Sequence, residues 1–135
     1  MTVRTRYSFG TRVAGSVADL RPVVEAALKT EGFGVLTEID VAATMRAKLG
    51  VEMPPYVILG ACNPPLAHRA VTAEPSIGTL LPCNVILRAD GDATVVEAMD
   101  PAAAMALSDT PEIAAVATEV RGRLERVIAT LGTAQ

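Results

Sequence analysis

Ile58-Leu59-Gly60-Ala61-Cys62-Asn63-Pro64-Pro65 reads as a strand running into the start of a helix. The run from Tyr56 to Ala61 is almost wholly apolar, which suits a strand placed inside a sheet. Asn63 followed by Pro64 is a helix-start signal. The Asn side chain accepts from a backbone donor, and Pro at the first helical position gives up a donor that would be orphaned anyway. A short helix is therefore expected over Pro64–Ala73. A second Cys-Asn pair lies in Leu80-Leu81-Pro82-Cys83-Asn84-Val85, where Cys83 enters the strand Pro82–Arg88.

Working outward, Tyr7–Val13 alternates Tyr7, Phe9, Thr11 and Val13 and predicts a strand. Ser16 with Asp19 resembles a capping box. Val17, Leu20, Val24, Ala27 and Leu28 then recur at helical spacing until Gly32. Pro22 conflicts with that helix, so it either kinks there or begins near Asp19. Phe33–Ile39 is the next strand. Asp40 caps a short helix with apolar Val41, Met45 and Leu49, stopped by Gly50. Glu74–Thr79 reads as loop. Asp90-Gly91 turns Pro82–Arg88 back on a strand over Thr94–Met99. Asp100-Pro101 opens a short helix to about Leu107, and Thr110-Pro111 opens the last. Ile113, Val116, Ala117, Val120, Leu124, Val127, Ile128 and Leu131 line one face of that last helix. The order is β-α-β-α-β-α-β-β-α-α, one α+β domain over residues 1–135. The strands Tyr56–Ala61 and Pro82–Arg88 are expected to be central and covered on both faces. The first and last strands alternate more, as edge or half-exposed strands should. The two long helices can cover only one face well.

A chain of 135 residues suits a single domain. Half of the residues are hydrophobic but only 3% are aromatic, so the core must be aliphatic. A mean hydropathy of +0.36 is high for a small monomer and points to apolar surface buried in a homodimer. The net charge is −3. Arg121, Arg123 and Arg126 are interleaved with Glu119 and Glu125, so no phosphate-binding track is expected and nucleic acid is excluded as a partner. No apolar run reaches the roughly 18 residues of a membrane span. Met1–Gly10 has no signal-peptide character, so a cytoplasmic location and reduced thiols are expected.

The candidate site residues are Cys62, Asn63, Cys83, Asn84 and His68. Cys62 just outside a helix N-terminus would meet unpaired N–H groups, which can lower a thiol pKa. If the flanking strands are antiparallel neighbours, Cys62 and Cys83 come close. They could then act as a redox pair or a nucleophilic thiol, or bind a metal with His68 and with Glu74 or a water. Alternatively, each Cys is simply a small buried side chain, and no Cys-x-x-Cys spacing is present. Asn84 is unusual at a strand start and could meet a ligand. Glu97 and Asp100 are assigned to a strand edge and a cap. There is no phosphate-binding glycine loop, nucleophile elbow or acid–base pair. Catalytic residues and cofactors are therefore left unassigned. The composition favours a binding module for a small molecule or protein partner. A thiol redox or metal-handling protein using Cys62 and Cys83 is the alternative.

Three segments together resemble the family known as domain of unknown function 302. They are Glu31-Gly32-Phe33-Gly34-Val35-Leu36-Thr37-Glu38-Ile39-Asp40, Leu59-Gly60-Ala61-Cys62-Asn63-Pro64-Pro65-Leu66-Ala67, and Glu74-Pro75 with Ile77-Gly78 and Leu80–Val85. The resemblance runs from about Tyr7 to about Leu131, with Pro22 as the one departure. It implies a curved, mainly antiparallel five-stranded sheet backed on one face by the two long helices, similar to the TATA-box-binding-protein arrangement. It carries no catalytic residues with it.

Overall fold

The computed structural model describes residues 2–133. The strands are β1 (Thr2–Arg4), β2 (Ser8–Ala14), β3 (Gly34–Asp40), β4 (Tyr56–Cys62), β5 (Cys83–Asp90) and β6 (Ala93–Met99). Helices α1 (Val17–Thr30), α2 (Val41–Leu49), α3 (Pro64–Ala73), α4 (Pro101–Met105) and α5 (Pro111–Thr133) connect or follow them. Every strand pairing is antiparallel, in the order β1-β2-β6-β5-β4-β3.

The register places Phe9, Thr11 and Val13 beside Ala98, Val96 and Thr94. It continues through Val85 and Leu87 to Leu59. All of these side chains are buried. The stripes expected on the long helices, from Val17 to Leu28 and from Ile113 to Leu131, are buried too. α1 and α5 pack against each other and the sheet, and α3 and α4 pack against α5. Each wholly buried aliphatic, such as Leu124 or Leu28, contributes roughly 2 kcal/mol of transfer free energy.

The α+β class and the antiparallel sheet are as expected, but the sheet has six strands rather than five. The extra strand, Thr2–Arg4, has one apolar residue, Val3, and so no periodicity to reveal it. It is held through its backbone register on β2. Pro75–Leu80, expected as loop, forms a 3₁₀ turn. α1 begins at Val17, capped by Ser16, rather than near Asp19. It carries Pro22 internally, so the Ala18 carbonyl lacks its usual donor four residues on.

The expected strand placement also changes. β6 is interior and buried from Ala93 to Ala98, because β2 and β5 flank it on either side. The true edges are β1 and β3. β4 and β5 are covered by helices on one face only. On the other face Tyr56, Ile58 and Ile86 are half-buried and Asn84 is exposed.

Candidate functional site

β4 ends at Cys62 because Asn63 turns the chain into α3. Asn63 has an extended backbone, and its Oδ1 accepts from the Leu66 N–H at 3.3 Å. Its Nδ2 reaches the Glu31 carbonyl at 3.5 Å, which also accepts from Arg123 Nη1 at 3.0 Å. Pro64 and Pro65 have no N–H, and the Ala67 N–H is already bonded to the Asn63 carbonyl. The start of α3 therefore offers no free donor to a neighbouring anion, despite its dipole. Accordingly the Cys62 thiol is not activated: partial burial raises its pKa.

Cys83 stands opposite Ala61, one residue from Cys62, and points into the core with Val85. Burial, and then the nearby Cys62, push its pKa up to about 11. Both cysteines are free thiols. They line one chamber of about 360 Å³ between the sheet end, α3 and α5. Phe33, Leu66, Leu81, Met105, Val116 and Val120 supply large apolar side chains to the wall. Among the described residues no charged side chain lines it. Leu36 and Val71 also line it, and both are substantially exposed.

Four of the five candidate residues thus divide between two places. Cys62, Asn63 and Cys83 gather at the chamber. Asn84 points to the opposite sheet face, as strand alternation requires. His68 is exposed on α3 and does not line the chamber. Leu66, Ala67, Ala70 and Val71 occupy the inward side of that helix. Glu74, considered as a fourth metal ligand, instead accepts from Ser108 Oγ at 3.0 Å and Thr110 Oγ1 at 2.6 Å. Among the described residues no three His, Cys, Asp or Glu side chains gather to hold a metal.

The open sheet face carries a polar group that the sequence did not reveal. Glu97 Oε1 accepts from Arg88 Nε at 2.8 Å, and its Oε2 accepts from Ser8 Oγ at 3.1 Å. Ser8 Oγ also lies 2.7 Å from Thr5 Oγ1. A groove of about 460 Å³ runs beside them. The available signal was a carboxylate set in the apolar run Ala93–Met99. In an interior strand such a residue must find a partner.

The chain matches the family described as domain of unknown function DUF302 over residues 9–131. The chain belongs to the DUF302 family. A crystal structure of an uncharacterised conserved DUF302 protein from Bacillus stearothermophilus superposes on this DUF302 domain with a TM-score of 0.86 at 25% identity. The match covers 94% of this chain and 99% of that one. No curated protein matches the chain. Within this DUF302 domain the family match takes in both Cys-Asn segments.

Proposed function

We propose that this DUF302 domain is a homodimeric binding module that takes a small, uncharged, apolar molecule into the chamber. The observation that carries this is a cavity of about 360 Å³ with no charged side chain on its wall. That volume lies in the range of small-molecule sites. An ion entering it would lose hydration without gaining a countercharge. Leu36 at 65% exposure and Val71 at 42% offer apolar contacts for an entering ligand.

The two thiols belong to this wall as soft, weakly polar surface. Redox or nucleophilic use would favour a thiolate near neutral pH, whereas both thiols are held protonated there. A cytoplasmic setting suits them, since thiols stay reduced there.

The dimer is supported by the edge strand β3, which is paired on one side only. It exposes Ile39 as well as Leu36, and the following α2 buries only Ala42 and leaves Leu49 exposed. The sheet backed by two long helices also suits a TATA-box-binding-protein-like arrangement. The acidic balance of this chain supports no nucleic-acid role.

Titration with the neutral fluorophore N-phenyl-1-naphthylamine tests the chamber. Saturable, one-to-one enhancement is expected, weakened at least tenfold by Val116→Phe in a variant with native circular dichroism. Absence of saturable binding, or unchanged affinity in that folded variant, overturns the ligand reading. Light scattering should give twice the chain mass of 14.0 kDa. A monomer at micromolar concentration overturns the dimer.

A further inference from the structure

The uncovered face of the sheet holds a second arrangement, independent of the chamber. It begins with a glycine. Gly10 lies opposite Glu97 across β2 and β6. A Cβ at Gly10 would collide with the Val96 carbonyl oxygen and stand 2.8 Å from both Cα and Cγ of Glu97. Only glycine therefore lets the Glu97 side chain pass flat over the neighbouring strand. The result is a carboxylate only 7% exposed on a sheet face that no helix covers.

Both oxygens of Glu97 are occupied, one by Ser8 and the other by Arg88 Nε. Arg88 sits two positions along β5 from Ile86, the residue that pairs with Glu97, so the ion pair is diagonal across the ladder. Arg88 is held to Glu97 through Nε, and no Nη hydrogen bond to the carboxylate accompanies it. Among the described residues neither Nη group meets a protein acceptor. The Arg88 side chain is 38% exposed and lines the 460 Å³ groove.

The rest of the groove complements that fork. Ile86 and Met99 give apolar surface, Tyr56 gives an aromatic ring, and Asn84 gives an exposed side-chain amide. Arg88 and Asn84 are four residues apart on one strand, roughly 13 Å between backbones. Their side chains can converge on a molecule about one ring long. A planar guanidinium edge recognises a carboxylate through two parallel hydrogen bonds. Glu97 lines the same groove and already brings one negative charge, so a second negative charge on the ligand is unwelcome.

We propose that the open face of the sheet binds a small aromatic monocarboxylate, with the Arg88 fork on the carboxylate. The ring lies on Ile86 and Met99 beside Tyr56, and Asn84 meets a polar group at the far end. Glu97 and Ser8, which also line the groove, hold Arg88 in place, and Gly10 gives the Glu97 side chain its room.

The probe is 4-hydroxybenzoate, titrated into the isotope-labelled full chain and followed by amide and methyl chemical shifts. Saturable shifts are expected at Ile86, Met99 and their neighbours, and not at Val116 or Val120 in the chamber. Arg88→Lys keeps the charge but loses the fork, and should weaken binding at least tenfold while preserving the dispersed spectrum. Asn84→Ala should weaken it about threefold. Cys62→Ala should leave it unchanged. The proposal is overturned by shifts confined to the chamber, by no saturation, or by equal affinity in folded Arg88→Lys. Phenyl phosphate binding as tightly as 4-hydroxybenzoate would also overturn it. Loss of saturation, or equal affinity in folded Arg88→Lys, leaves the chamber reading untouched, since that is tested with a neutral probe; shifts confined to the chamber would count against both.

Discussion

At Cys62-Asn63 the cysteine is half-buried and the asparagine is buried, while at Cys83-Asn84 the cysteine is buried and the asparagine is exposed. The same dipeptide is divided differently because one pair ends β4 and the other begins its antiparallel neighbour β5. Asn63 leaves the strand to begin α3, so its side chain folds onto the Leu66 N–H. Asn84 stays within the strand, so alternation sends it to the face opposite Cys83. One pair thus closes an apolar chamber, and the other places one residue in the chamber wall and the other beside the Arg88–Glu97 pair. Local sequence identity does not transmit a role; the direction of the chain at that point does.

The contrast is broken most severely by charge. Cys83→Asp should cost about 4 kcal/mol in urea denaturation, because it buries a carboxylate without a partner. Cys62→Asp, at the half-buried position, should cost about 1 kcal/mol. Equal losses would mean that the two cysteines share one environment.

Alkaline titration gives the next largest effect. In the fold the Cys83 thiol holds its proton to about 11 against an ordinary 9.0. The unfolded chain releases that proton first as pH rises. Its contribution is therefore fully present below pH 9 and lost on the way to pH 11. The loss should be about 3 kcal/mol, since each unit of displacement corresponds to roughly 1.4 kcal/mol. Cys83→Ala should remove that part of the alkaline slope, and an unchanged slope would show that Cys83 is not its source.

The asparagines sharpen the comparison at smaller scale. Asn63→Ala removes the cap of α3 and should cost about 1 kcal/mol in thermal or urea unfolding. Asn84→Ala touches no internal bond and should stay within about 0.5 kcal/mol. A larger loss at Asn84 than at Asn63 would reverse the roles assigned to them.

Much of the architecture was legible because it rests on periodicity. The stripes from Val17 to Leu28 and from Ile113 to Leu131 carry their own geometry, as do the Asn63-Pro64 cap and the Asp90-Gly91 turn. β1 was not legible: Thr2–Arg4 is stabilised by an edge it borrows from β2, which leaves no mark in its own side chains. At the site, Asn63 could be placed as a cap, but the state of Cys62 could not. That state depends on Pro64 and Pro65 removing donors and on the surroundings that bury the thiol. Glu97 was misplaced for a related reason. Assigned to an edge strand it needs no partner, whereas between β2 and β5 it requires Arg88 and Ser8.

The α+β class, nearly all the element order, the aliphatic core, the capping of α3 and the family were legible in the residues alone. These follow from local spacing and from residues that act within one turn of themselves. Folding in three dimensions was needed to set which strands lie inside the sheet, to keep His68 apart from the two thiols, and to anchor Arg88 on Glu97. Each of those depends on strand order and register, which bring together residues far apart along the chain.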